Sequence, residues 1–245
     1  MSVDLTGKVA VITGASRGIG RAAALALARE GVDVVLTART ADELQELAQE
    51  VQDETGRQAL PVAADLTLSA DVDGLKQRAL DTFGRVDILV NNAGVARYAS
   101  FVDTTLEDYD WMMNTNMRST FLCTQAFLPG MLDQQDGAVI TVSSQAGLYG
   151  FGGEAVYCAS KFAQVGFCQA LDHEVREQGV KVSLICPGGV HTHLAFGTGR
   201  EPGADYLEEM LEADSVADAI VFAAKQPPKS RILLIGMRPM SERLF

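Results

Sequence analysis

The chain has 245 residues, 47% of them hydrophobic, and 32 Asp and Glu against 20 Lys and Arg, for a net charge of −12. That acidity argues against nucleic acid or an anionic membrane as partner, since neutralising phosphates needs clustered cations, and the apolar content excludes disorder. The length alone fits one domain or two. In chain order, residues 9–12 are a short β-branched run that ends in a glycine-rich turn. The Ala/Leu-rich residues 21–29 read as a helix, closed by Gly31. A second strand over 32–36, an amphipathic helix over 42–51 and a third strand over 59–62 follow. Residues 70–83 predict a helix and 86–90 a fourth strand. One long helix is expected over 106–132, with Pro129 near its end. Strands over 138–142 and 180–185 flank a long helix over 155–178, and a last helix over 217–225 precedes a strand over 231–235. Strands apolar on both faces, alternating with helices, predict an α/β fold. The expected architecture is a doubly wound, seven-stranded parallel sheet with helices on both faces, in a single domain over 1–245.

No run of about 18 apolar residues is present, so no spanning helix is expected. The first eight residues lack the layout of a secretory signal, which predicts a cytoplasmic location. Cys123, Cys158, Cys168 and Cys186 have no CxxC spacing and read as free, buried thiols.

The first strand leads into Thr13-Gly14-Ala15-Ser16-Arg17-Gly18-Ile19-Gly20 and then directly into a helix. Glycines here permit a tight turn and let a pyrophosphate approach the helix N-terminus, where free N–H groups and the dipole favour an anion. The spacing is GxxxGxG rather than GxGxxG. Two further motifs stand at matching places: Asn91-Asn92-Ala93-Gly94 after the fourth strand, and Tyr157-Cys158-Ala159-Ser160-Lys161 on the long helix. With all three in order over nearly the whole chain, the sequence resembles the short-chain dehydrogenase/reductase family, in the size class of its NADP-preferring 3-oxoacyl reductases. The resemblance implies a Rossmann-like sheet, a bound nicotinamide dinucleotide and a homotetramer with helices 106–132 and 155–178 packed between subunits.

By the same resemblance, Gly14, Ser16, Arg17, Gly18, Ile19 and Gly20 cradle the pyrophosphate, and Asn92, Ala93 and Gly94 border the cofactor. Asp65 and Leu66 would lie at the adenine, although Asp65 is equally placed to cap the helix that follows. Pro187, Gly188, Val190 and Thr192 would sit near the carboxamide. At the end of the second strand, an acid selects NAD and a cation accommodates the 2′-phosphate of NADP. Here Ala38 stands where NAD-preferring relatives carry Asp, Arg39 follows, and Arg17 offers a second fork, which predicts NADP(H).

Tyr157 and Lys161 are four residues apart, on one helix face. A free tyrosine titrates at about 10. Bringing it near neutrality needs roughly 4 kcal/mol of differential stabilisation, which Lys161 and an oxidised nicotinamide would share. Ser144, just after the fifth strand, matches the family's serine; the neighbouring Ser143 fits its offset less well. Asn116 matches the helix asparagine that holds a water between Lys161 and solvent, although a polar helix residue can also serve only backbone. The resemblance therefore implies a catalytic group of Asn116, Ser144, Tyr157 and Lys161.

A cover over about 191–212, including Leu194 and Phe196, is expected to close one side of the substrate site. Tyr98, Leu148, Tyr149 and Phe151 are expected to line the other. These walls suit a small apolar or aromatic carbonyl or alcohol. Acidic residues in 133–136, in 177–178 and along the cover (Glu201, Asp205, Glu208, Glu209, Glu212) are read as an acidic rim at the entrance. Such a rim would repel an acidic carrier protein, which disfavours the alternative of a 3-oxoacyl-(acyl-carrier-protein or CoA) reductase. A non-catalytic NADPH-binding regulator is the second alternative, and would be expected to lack the Tyr or Lys. His191 and His193 have no third ligand nearby, so no metal site is expected.

Overall fold

In a computed structural model of the chain, which describes residues 3–242, seven parallel strands form one sheet in the order β3-β2-β1-β4-β5-β6-β7. They are β1 (Val9–Thr13), β2 (Asp33–Ala38), β3 (Ala59–Ala63), β4 (Ile88–Asn91), β5 (Gly137–Val142), β6 (Val180–Pro187) and β7 (Leu234–Met237). Each strand sends alternate residues to opposite faces. In β1, Ala10 and Ile12 join the core beneath α1 (Gly18–Arg29), α2 (Ala41–Thr55) and α7 (Ala213–Ala224). Val9 and Val11 join the other core, beneath α3 (Ser69–Phe83), α5 (Ser119–Gln134) and α6 (Ala155–Val175). The helices follow apolar spacing: α2 buries Leu44, Leu47 and Val51, and α3 buries Val72, Leu75 and Ala79. A fully buried Val or Leu contributes about 1.5–3 kcal/mol, so two such layers outweigh the charged outer faces. All four cysteines are free and buried.

The strand order reverses between β1 and β4, and such a switch point opens a crevice at the carboxyl ends of the strands. Every motif singled out in the sequence lies on that edge.

Several helices start earlier or run longer than expected, α1 from Gly18, α2 to Thr55 and α7 from Ala213, and three further departures have a visible cause. The helix expected over 106–132 is α4 (Leu106–Met113), a π-helical segment Asn114–Arg118, and α5. The extra residue is accommodated because the Ser119 N–H bonds to the Asn114 carbonyl, and side chains capture a carbonyl the wider turn leaves free, as shown below. The last strand runs over Leu234–Met237, not 231–235. Ahead of it Arg231 turns to Asp172 at 2.8 Å, and Ile232 O takes the Ser183 hydroxyl, so regular pairing with β6 starts only at Leu234. Finally, α6 ends at Val175, and Arg176–Gln178 tighten into a 3₁₀ turn.

Candidate active site

A continuous cleft of about 960 Å³ runs over the carboxyl ends of β1, β2, β4, β5 and β6. At its floor the β1–α1 turn packs directly on the segment after β4. Gly14 has φ +63°, and a Cβ there would lie 2.9 Å from Ala93 Cα. A Cβ on Gly20 would lie 2.2 Å from the Gly14 carbonyl oxygen, so neither position accepts a side chain. Asn92 Nδ2 donates to Thr13 O at 2.9 Å, and Thr13 Oγ1 accepts from the N–H of both Asn92 and Ala93. Asn92 therefore joins the two turns. The first N–H groups of α1 receive no side-chain cap.

Arg17 and Arg39 both border the cleft and are exposed, and neither forms a salt bridge among the described residues. Asp65 is lowered below the usual carboxylate range by hydrogen bonds from the Thr67 N–H and hydroxyl, with help from the Arg39 charge. It organises its own turn while also lining the cleft beside Leu66.

Ser144, Tyr157 and Lys161 converge where β5 and α6 meet the cleft. The Ser144 side chain stands close enough to Tyr157 to lower its phenol, donates to Pro187 O at 3.4 Å and accepts from the Ala146 N–H at 3.0 Å. Ser143 faces inward and donates to Lys161 O at 3.1 Å, which separates the two rival hydroxyls. Burial raises the Tyr157 phenol above its ordinary value, and the neighbouring Tyr98 and Glu154 add to this; Ser144 and Arg200 oppose it. Burial also pushes the Lys161 ammonium down to about 8. Lys161 Nζ donates to Val142 O at 3.1 Å and Gln164 Oε1 at 3.0 Å, and stands 5.8 Å from the Tyr157 ring centroid. Lys161 is not among the groups that shift the Tyr157 phenol, and burial dominates it.

Asn116 is fully buried within the π-helical segment. Its side chain donates to Val95 O and Ser160 Oγ, both at 2.9 Å, and accepts from Val95 N at 2.8 Å. Its backbone carbonyl takes Thr120 Oγ1 at 2.8 Å and Gln164 Nε2 at 2.9 Å. A network thus runs from the segment after β4, through Asn116 and Gln164, to Lys161.

A profile described as short chain dehydrogenase matches residues 8–201. The chain belongs to the short-chain dehydrogenase/reductase family. A 3-oxoacyl-[acyl-carrier-protein] reductase of Synechocystis is 36% identical to it over 231 residues, covering 93% of each chain. The crystal structure of an alcohol dehydrogenase from the archaeon Thermococcus sibiricus, complexed with 5-hydroxy-NADP, superposes with a TM-score of 0.89 at 29% identity, covering 96% of this chain and 98% of that one. A metagenomic short-chain oxidoreductase in complex with NADP superposes with a TM-score of 0.84 at 33% identity, covering 98% and 100%.

On the substrate side of this short-chain dehydrogenase/reductase, Tyr98, Phe151, Leu194 and Phe196 line the cleft as expected. Leu148 and Tyr149 do not. Leu148 packs into the core under α5 and α6, and Tyr149 lies outside the cleft against the Arg238 guanidinium, 5.3 Å from its ring centroid. The 3₁₀ turn Gln145–Gly147 carries the chain away from the cleft at this point. Residues 133–136 and 177–178 lead into the amino ends of β5 and β6, the edge opposite the cleft, so they form no part of its rim. The acids of the cover remain, all exposed. Pro187, Gly188, Val190 and Thr192 border the cleft. Arg200 and Met210 line it from within the expected cover, whereas Trp111 and Glu154 also line it and were not anticipated, as no motif marks them. Arg200 lies 5.7 Å from the Tyr98 ring centroid, and Tyr98 meets Tyr157 edge to face at 5.9 Å. His193 lines the cleft against Phe196, and among the described residues no three His, Cys, Asp or Glu side chains group as metal ligands. No described helix is long and apolar enough to cross a membrane.

Proposed function

We propose that this single-domain enzyme is an NADP(H)-dependent reductase of small apolar or aromatic carbonyl compounds, reversible with the matching alcohols. The carrying observation is the convergence of Ser144, Tyr157 and Lys161 on one cleft, with Lys161 Nζ 5.8 Å from the tyrosine ring centroid. The residues fit the cofactor: α1 leaves its first N–H groups uncapped for a pyrophosphate, and Arg17 and Arg39 border the cleft with no salt bridge among the described residues. Two similar structures hold NADP or a derivative of it. When bound, NADPH supplies the hydride, and its oxidised ring carries a positive charge.

The chain's own groups do the rest. Ser144 orients the carbonyl oxygen, and Tyr157 gives it the phenolic proton as the carbon is reduced, leaving a phenolate. Lys161 binds the ribose hydroxyls and returns a proton to Tyr157. Asn116 completes the relay: its Oδ1 and Lys161 Nζ lie 3.4 and 3.7 Å from the place where a Cβ on Gly94 would stand. The same proposal places helices α4, α5 and α6 between subunits of a tetramer, where the exposed Phe121 and Phe162 would be covered; a monomeric mass by sedimentation would exclude it.

NADPH oxidation against a panel of ketones, acyl thioesters and sugars is the test. Apolar and aromatic ketones should turn over fastest, and carrier-bound thioesters poorly, since Glu201, Asp205, Glu208, Glu209 and Glu212 repel an acidic carrier. Fastest turnover of thioesters would instead establish a 3-oxoacyl reductase, the alternative that the Synechocystis relative supports. Binding of NADPH without any turnover would establish a regulator.

The same assay carries a pH prediction. Lys161, at about 8, is charged below that pH and neutral above it, and its charge favours the phenolate that forms on proton transfer. The kcat/KM for carbonyl reduction should therefore hold level through neutrality and fall above about pH 8. A fall that began only near the ordinary lysine value of about 10 would contradict the role given to Lys161.

A further inference from the structure

After β7, residues 238–242 turn back into the cleft. The turn is closed by Glu242 N donating to Pro239 O at 3.1 Å. Arg238, largely buried, donates through Nε to Gln145 Oε1 and through Nη1 to Glu242 Oε1, both at 3.1 Å. Gln145 directly follows Ser144, and its Nε2 donates to Cys186 O at 2.7 Å. Glu242, which lines the cleft, accepts the Gly189 N–H at 3.0 Å. Its carboxylate lies so close over Gly188 that a Cβ there would stand 2.2 Å from Oε2. Gly188 N donates in turn to Met237 O at 2.8 Å.

The loop after β6 is thereby held on both sides. Its Gly189 N–H is bound by the tail, and its Gly189 carbonyl accepts Leu211 N from the end of the cover at 3.0 Å. Ser241 Oγ also reaches Glu209 O at 3.3 Å, joining the tail to the cover itself. One ion pair therefore meets the turn behind Ser144, the loop over the nicotinamide end of the cleft and the closing edge of the substrate side.

We propose that Glu242, held by Arg238, is a positioning residue that sets the Gly188–Gly189 backbone for the nicotinamide end of the cofactor. This rests on the assignment of the cleft to NADP(H). A carboxylate is suited to the task because its two oxygens serve different partners, the Gly189 N–H and the Arg238 guanidinium. Hydrogen bonds with a charged member are the stronger kind. Glutamine keeps an acceptor for Gly189 but loses the ion pair, so Glu242→Gln should be intermediate between wild type and Glu242→Ala.

Two measurements test it. In hydrogen exchange without cofactor, the peptide containing Gly189 should exchange about tenfold faster in Glu242→Ala, with Glu242→Gln in between. In titrations without substrate, the Kd for NADPH should rise about tenfold in Glu242→Ala and about threefold in Glu242→Gln. KM for the carbonyl substrate should change less than KM for NADPH. Unchanged NADPH affinity in Glu242→Ala would overturn the proposal, whether or not the melting temperature falls, since lowered stability alone marks a purely structural tail. Failure of the wild-type chain to bind NADPH would overturn the cofactor assignment instead.

Discussion

Tyr157→Phe should lower kcat between about a hundredfold and ten-thousandfold, the range a positioned general acid contributes. NADPH affinity should stay within about twofold, because the hydroxyl is the only group removed and the ribose hydroxyls are assigned to Lys161. Tyr157 is buried and its ring meets Tyr98 edge to face, so phenylalanine preserves both volume and packing. The direction of the titration matters here. Burial raises the phenol, so at neutral pH Tyr157 carries its proton and stands ready as an acid for carbonyl reduction. Oxidation of an alcohol needs the phenolate, which burial disfavours until a positive charge arrives beside it. Reduction should thus tolerate a lower pH than oxidation does. Steady-state rates in both directions, with a fluorescence titration of NADPH, read all of this. A residual reduction rate above about a tenth of wild type would remove Tyr157 from the role of acid.

Arg39→Asp should reverse cofactor preference. The variant should lose about ten- to a hundredfold in kcat/KM with NADPH, corresponding to about 1.5–3 kcal/mol for a charged hydrogen bond, and gain with NADH. The site suits this exchange because Arg39 directly follows β2 and forms no salt bridge among the described residues, so its removal leaves no buried charge there. The new carboxylate would meet the ribose hydroxyls of NADH but repel a 2′-phosphate. Asp65 stands close enough for the Arg39 charge to lower it, and its pKa should rise slightly in the variant. Arg17→Ala should add to the loss with NADPH and do little with NADH. An unchanged NADPH-to-NADH ratio in Arg39→Asp would place the 2′-phosphate elsewhere.

The alternation of apolar runs and helical periods carried the strand count, the parallel sheet and the layering of helices on both faces. Local chemistry was enough for this, because a parallel strand buried on both sides must be apolar throughout. That the glycine turn, Asn92, Ser144, Tyr157 and Lys161 meet on one cleft was legible because the family resemblance carries them at fixed places along the chain. The misses share a cause: each depends on contacts distant in sequence. Tyr149 follows a 3₁₀ turn that carries it out of the cleft, and nothing in its neighbours announces that turn. The acids of 133–136 were placed at the entrance on charge alone, while the strand direction sends them to the other edge. Glu242 enters the cleft from a segment after β7 with no periodicity. Gln164 had a weak signal, three residues beyond Lys161 on one helix face, yet its tie to Asn116 crosses 48 residues.

The π-helical segment also limits how this region can change length. Deleting one residue within Asn114–Arg118 would restore an ordinary helix and, on paper, improve its hydrogen bonding. It would also rotate α4 by about 100° relative to α5. Trp111 would leave the cleft wall, and Asn116 could no longer face Val95 and Ser160 while its carbonyl served Gln164. A change that makes the helix more regular would dismantle the connection between Lys161 and the segment after β4, so insertions and deletions in this stretch should be far less tolerated than substitutions on its exposed side.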